Sequence, residues 1–378
     1  MQFRDLKKQY EALKPEIDRQ IAEVIQSGQF ILGPKVTQLE SALAAFAGVK
    51  HCVSCANGTD ALTLPLMAWG VGAGDAVFTS DFTFFASAGA AAILGATPIL
   101  VDIDPQTFNI SPEALEAAIR QVLAEGALTP KAVIPVDLFG LPADYDAILP
   151  IAEKYGLKVL EDGAQGFGGE IRGQRAGSFG DAATTSFFPA KPLGCYGDGG
   201  AIFTDDDELA VTLRSLRAQG SSPVDKYDNQ RIGMNSRLDP LQAGLLLPKL
   251  RAFIDYEIEA VNRAAGWYTE RLKNHVKTPY TPAGYRSVWA QYTILLPDSD
   301  IRNALQQHLK DNGIPSMIYY PKGMHRQTAF AARNLPDTDY PRTNDISNRV
   351  LSLPMHPYLS EEEVDTVCGV IRTYFEEI

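Results

Sequence analysis

The sequence predicts an α/β protein: a large domain with a mostly parallel central sheet, followed by a smaller C-terminal α+β domain. Three observations predict it. Between about residues 58 and 163, short apolar runs alternate with helical patterns, which marks a parallel sheet buried on both faces. From about residue 205 the pattern turns mainly helical. Further on, short apolar runs mix with helices again. The large domain is expected over residues 1–250, beginning with a helix, and the small one over 251–378. A chain of 378 residues fits two domains at roughly 100–200 residues each.

The elements follow in order. Leu6, Tyr10, Leu13, Ile17, Ile21, Val24 and Ile25 repeat with the spacing of one helix face. A second helix is expected near 35–47. Residues 58–70 read as a helix ended by Gly70, 75–80 as a strand, 86–95 as a helix and 98–104 as a strand. Ser111-Pro112-Glu113 opens the next helix with a capping hydroxyl, a proline in the first turn and an acid at the positive end of the dipole. Residues 131–140 read as a strand, 145–156 as a helix and 158–163 as a short strand ending in acids. Helices are expected over 206–220, 239–272, 301–313 and 360–378, with an apolar strand over 288–296.

Composition narrows the function. Apolar residues make up 45% and charged residues 21%, as in a soluble globular protein. A net charge of −12 argues against a nucleic-acid partner. It leaves room for a local cationic cluster that binds an anionic small molecule. The four cysteines, Cys52, Cys55, Cys195 and Cys368, are too few for a disulfide scaffold. The Cys52-x-x-Cys55 pair has no second ligand pair to complete a zinc site, so no metal is expected and the two read as small residues beside a strand end. The opening 21 residues are charged and lack a signal region. No run of 18 apolar residues occurs, so no membrane span is expected and the location read is cytoplasmic.

Four stretches carry candidate chemistry, and one is a decoy. Gly70-Val-Gly72-Ala-Gly74 looks like a dinucleotide fingerprint, but it follows a helix and precedes a strand, the reverse of what that fingerprint requires. Asp162 ends a strand, and ligands of open α/β sheets sit beyond the carboxyl ends of strands. Gln165 follows among Gly163, Gly166, Gly168 and Gly169, where bare backbone permits close approach. Asn57-Gly58-Thr59-Asp60 opens a helix whose free N–H groups can take a phosphate. Lys191 lies between Pro189 and Pro192, shortly after Thr184, Thr185 and Ser186 and beside Phe187, Phe188 and Leu193. A lysine amine in an apolar setting is a nucleophile able to form a Schiff base. Alone, each has a plain alternative: a solvated acid, an ordinary helix cap, a surface lysine. Together they supply what pyridoxal 5′-phosphate (PLP) needs: phosphate donors, a carboxylate for the ring nitrogen and an amine for the aldehyde.

The chain resembles the DegT/DnrJ/EryC1/StrS family of PLP-dependent nucleotide-sugar aminotransferases over nearly its whole length. The stretches that carry the resemblance are Asn57–Leu62, Phe82–Ala86, Val101–Pro105, Glu161–Gln165, Ser186–Gly194, Asn235–Asp239 and Tyr320-Pro321. The resemblance implies fold type I (aspartate aminotransferase-like) and a homodimer with shared active sites. It implies Lys191 as the Schiff-base lysine and Asp162 as the acid at the pyridine nitrogen. Gln165 is then expected near the cofactor hydroxyl, Gly58, Thr59 and Ser186 at the phosphate, and Phe84 against the ring. Asn235 is implied to reach the phosphate from the neighbouring subunit, and Arg237 to contact substrate from there. The stretches 186–210 and 352–359 look most like the subgroup that aminates the 3-keto group of UDP-2-acetamido-2-deoxy-3-oxo-glucuronate with L-glutamate, for bacterial surface polysaccharides such as O-antigen. The alternative is a 4-keto-6-deoxy nucleotide-sugar aminotransferase. Related sugar dehydratases carry histidine in place of the lysine, so Lys191 speaks against dehydration; a non-enzymatic PLP-binding regulator is the remaining reading. Two departures from the subgroup are visible. Tyr319-Tyr320-Pro321 stands where His-Tyr-Pro is common, which places Tyr319 and Tyr320 near the substrate question. Gly163 and Gly166 replace the usual Ala and Ser, an effect expected on packing.

Overall fold

The computed structural model describes residues 1–222, 224, 225 and 227–377. Two helices, α1 (Leu6–Ser27) and α2 (Pro34–Ala47), lead into β1 (His51–Cys55). Alternating units follow: α3 (Gly58–Ala68), β2 (Asp75–Ser80), α4 (Phe85–Ile93), β3 (Thr97–Val101), α5 (Pro112–Glu125), β4 (Thr129–Ile134), α6 (Tyr145–Tyr155) and β5 (Lys158–Asp162). A small hairpin, β6 (Glu170–Ile171) and β7 (Gln174–Arg175), precedes β8 (Ala182–Ser186), β9 (Gly200–Thr204) and α7 (Asp207–Leu216). Then come α8 (Pro240–Ala252), α9 (Ile258–Leu272), β10 (Tyr285–Arg286), β11 (Tyr292–Leu295), α10 (Ser299–Asp311), α11 (Pro341–Arg349), β12 (Val350–Leu353) and α12 (Glu361–Glu377). The end of the last expected helix, Ile378, lies outside the described residues.

Seven strands form the main sheet in the order β1-β9-β8-β5-β4-β2-β3. The pairs β2–β3, β2–β4, β4–β5 and β5–β8 are parallel, and β9 runs antiparallel to β8 and β1. The sheet is therefore mostly parallel, with one reversed strand. Separate apolar clusters cover its two faces: Leu62, Leu64, Val77 and Ile202 belong to one, and Phe78, Leu115, Val133 and Ile148 to another. Cys52 and Cys55 lie within β1 rather than beside its end. An offset of three turns strand residues to opposite faces, and the two thiols join different clusters.

Some expected boundaries shift for local reasons. The strand expected over 131–140 breaks at Pro135, which has no N–H for the ladder; Val136 then bridges Asp162, and the chain turns through Phe139 at φ 58°. The strand expected over 288–296 shrinks to β11 because Trp289 adopts φ 47°. A second core gathers α9, β11, α10, β12 and α12 around Tyr268, Tyr292, Leu305 and Ile371. The expected division at residue 250 falls inside one helical rod, since α8 passes through a π-turn at Phe253–Glu257 directly into α9. We propose that this rod joins the two domains.

Candidate active site

The carboxyl ends of β5 and β8, the N-termini of α3 and α4, and the segment 318–327 enclose a cleft of about 730 Å³. Gly58, Thr59, Phe84, Asp162, Gln165, Ser186, Lys191, Tyr319 and Tyr320 all line it. Residues spread over 260 positions of sequence thus converge on one site at the end of the sheet where α/β proteins bind ligands.

At one end stands the start of α3. The Asn57 side chain accepts from Asp60 N at 2.8 Å, capping the helix and leaving the Gly58 and Thr59 amides uncommitted. A Cβ on Gly58 would lie 2.6 Å from Ser186 Cβ and 2.9 Å from its Oγ. Only glycine lets the helix end and the Ser186 hydroxyl meet. The result is a cradle of N–H and O–H donors at the positive end of a helix, which fits a phosphate.

At the other end Asp162 is almost fully buried. Its Oδ2 accepts from Ser87 Oγ at 2.7 Å and its Oδ1 from Ala164 N at 3.2 Å. Burial pushes the carboxyl up, and these two donors and then Lys191 pull it back. A buried carboxylate aimed into a cleft fits a protonated ring nitrogen. Lys191 faces the same cleft from the turn after β8. Burial pushes its amine down, opposed by Asp162 and reinforced by Arg4. Phe84, about half exposed, lines the cleft as the N-cap of α4. Phosphate cradle, acid and amine together fit PLP.

Gln165 is tied into the wall: its Oε1 accepts from Phe139 N and its Nε2 donates to Tyr320 Oη, both at 2.9 Å. Tyr319 and Tyr320 line the cleft beside it. Asn235 and Arg237 do not line the cleft of their own chain. Asn235 is exposed, and Arg237 makes no ion pair among the described residues. Their neighbour Ser236 anchors the segment to α3 by donating to Asp60 Oδ2 at 2.6 Å.

Sequence reasoning missed several contributors. Ser87 sits three residues after Phe84, and that proximity was the one available signal. Gln291 and Gln327 line the cleft from distant loops with no motif around them. Asp137 and Glu161 form a buried acid pair behind Asp162. Glu161 accepts from the Gly177 and Phe179 amides. Asp137 Oδ1 accepts from Ala143 N and Tyr145 Oη, both at 2.9 Å, and its amide donates to Asp162 O at 3.0 Å. Asp137 Oδ2 has no hydrogen-bond partner among the described residues. Burial pushes Asp137 up to about 7 and Glu161 well above its ordinary value.

The model of the DegT/DnrJ/EryC1/StrS aminotransferase family matches residues 11–372. The chain belongs to this family. It is 47% identical to UDP-2-acetamido-2-deoxy-3-oxo-D-glucuronate aminotransferase of Pseudomonas aeruginosa, over 98% of this chain and 99% of that protein. It is 44% identical to UDP-N-acetyl-3-dehydro-α-D-glucosamine 3-aminotransferase of Acidithiobacillus ferrooxidans, over 97% of this chain and 96% of that one. Among solved structures, a DegT/DnrJ/EryC1/StrS aminotransferase from Brucella abortus superposes with a TM-score of 0.96 at 50% identity, covering 99% of both chains. The fold is therefore the type I architecture of PLP-dependent aminotransferases, as the sequence resemblance implies. No helix among the described residues is long and apolar enough to cross a membrane.

Proposed function

We propose that this protein is a PLP-dependent aminotransferase that moves the amino group of L-glutamate to the 3-keto group of UDP-2-acetamido-2-deoxy-3-oxo-glucuronate, in the cytoplasm, as a homodimer. One observation carries the reading: Lys191, Asp162 and the open start of α3 meet in one cleft. The two relatives bear names that share a 3-oxo UDP-linked amino sugar, which favours this acceptor over a 4-keto-6-deoxy sugar.

PLP, when bound, supplies a conjugated ring that draws electrons from the bonds at the donor's α-carbon. The residues of the chain do the rest. The Gly58 and Thr59 amides and the Thr59 and Ser186 hydroxyls hold the phosphate. Asp162 keeps a proton on the ring nitrogen, and the Ser87 hydroxyl keeps Asp162 aimed. With PLP bound, Phe84 would cover the ring and exclude water. The Lys191 amine would take the proton from the donor α-carbon and return it, as general base and acid. Asn235 and Arg237 serve the neighbouring subunit, Arg237 as the cation for a substrate carboxylate. Their position outside their own cleft supports this, as do exposed Phe30, Ile31 and Ile232, apolar side chains that a partner would cover.

The test is a single-turnover assay. Purified protein, loaded with PLP, is mixed with glutamate until its PLP absorbance is lost. Each of a panel of keto-sugar nucleotides is then added. Return of absorbance with the 3-oxo UDP-uronate supports the proposal. Return only with a 4-keto-6-deoxy sugar overturns the acceptor, and transamination at wild-type rate by Lys191→Ala overturns the site.

A further inference from the structure

Arg4 lies outside every motif and reaches the back of the catalytic turn. Its Nη2 donates to the carbonyl of Lys191 at 2.6 Å and to that of Pro192 at 3.2 Å. The turn has few other ties. Pro189 and Pro192 have no N–H, and Lys191 N donates to Phe188 O at 2.8 Å. Arg4 itself is held on both sides. Phe3 O accepts from Met355 N at 3.1 Å, and the Phe3 ring meets Tyr319 edge-on at 6.1 Å. Asp5 caps α1, its Oδ1 accepting from Lys7 N and Lys8 N.

We propose that Arg4 is a positioning residue for Lys191, holding by two hydrogen bonds the turn that carries its amine. No carboxylate lies within ion-pair distance of Arg4 among the described residues. The acid acting on it is Glu257, whose Oε1 already accepts from Gln9 Nε2 at 2.9 Å and Tyr358 Oη at 2.7 Å. Lys249 adds another buried cation, its Nζ without a hydrogen bond and pushed by burial down to about 8. His356 is neutral near pH 7, held down to about 4 by burial and then by Arg4. The charged groups acting on Lys191 are Asp162 from β5, which favours the ammonium, and Arg4, which disfavours it. Exposed Asp198 stands on the cleft rim. A buried like charge favours the free amine, the form that attacks an aldehyde and accepts a proton.

The inference rests on Lys191 being the reactive amine, so its test reads that amine directly in the full-length protein after PLP removal. Trinitrobenzenesulfonate labels amines only when unprotonated, and peptide mass spectrometry isolates the Lys191 signal at each pH. Arg4→Met and Arg4→Gln should move the labelling midpoint upward. Arg4→Lys should keep the wild-type midpoint while speeding amide exchange of residues 193–195, because one ammonium cannot grip two carbonyls as the guanidinium does. In the loaded enzyme, the pH at which PLP absorbance changes should shift in the charge-removing variants as well. If Arg4→Met does not fold, Arg4→Gln against Arg4→Lys decides. Unchanged midpoints in a folded Arg4→Gln overturn the inference, while loss of transamination in Lys191→Ala leaves the wider functional reading standing.

Discussion

An added Cβ at Gly166 would sit 2.8 Å from Asp137 Oδ2 and collide with the Cβ of Asp137. A Cβ at Gly163 would lie 3.1 Å from Glu161 Oε1 and 2.9 Å from Thr184 O. Gly166 therefore makes room for the Asp137 side chain, and Gly163 for the Thr184 carbonyl and the Glu161 carboxyl.

This relationship predicts compensation. Gly166→Ser should destabilise the protein by about 1–3 kcal/mol, the usual range for overpacking. The double variant Gly166→Ser with Asp137→Gly, which removes the colliding Cβ, should recover part of that loss. Thermal melting of the two single variants and the double variant gives the coupling, and strict additivity would mean the two positions do not share space.

The same acid pair predicts a pH dependence. Asp137 titrates higher in the folded protein than in the unfolded chain, so the folded state holds the extra proton between about pH 4 and 7. Its contribution is fully present below the unfolded value and is lost as pH rises through about 7. Asp137→Asn keeps the acceptor for Ala143 N and Tyr145 Oη and adds a donor toward Glu161. Its melting temperature should equal or trail that of the wild type near pH 5 and exceed it at pH 8. Parallel melting curves across that range would refute the raised Asp137 carboxyl.

Gly58→Ala tests the phosphate cradle. Its Cβ must push Ser186 away from the start of α3. PLP affinity should fall by at least about tenfold, the equivalent of one lost charge-assisted hydrogen bond. Retention of PLP during dialysis, read by absorbance, measures this, while the melting temperature of the cofactor-free protein should change less.

Ser87→Ala removes one of the two hydrogen bonds recorded to Asp162. Burial should then push that carboxyl higher. The variant should lose about tenfold in turnover, from one hydrogen bond of roughly 1.5 kcal/mol to a charged group. The PLP absorbance should also show weaker protonation at the ring nitrogen. Asp162→Asn should lose far more, and equal losses would contradict a supporting role for Ser87.

The α/β order was legible because each parallel strand is a compact apolar run between helices, and a helix start such as Ser111-Pro112-Glu113 declares itself locally. Lys191, Asp162 and Gly58 were legible as chemistry because motifs surround them. The residues that hold them were not. Ser87 reaches Asp162 across 75 positions, and Arg4 reaches Lys191 across 187. Gly163 and Gly166 could be seen as departures, but what each makes room for could not: Asp137 lies 29 positions before Gly166, and Thr184 lies 21 after Gly163. The reversal of β9 was equally hidden, since a buried strand has the same apolar content in either direction.

The bonds of the leading segment set a timetable. Phe3 waits for Met355, Lys8 for Glu363 and Arg4 for the turn at Lys191. During synthesis at roughly 5–20 residues per second, Lys8 waits tens of seconds for Glu363, 355 positions later. The sheet can assemble well before then. The cleft therefore reaches its final shape only when residues 355–363 close over residues 3–8.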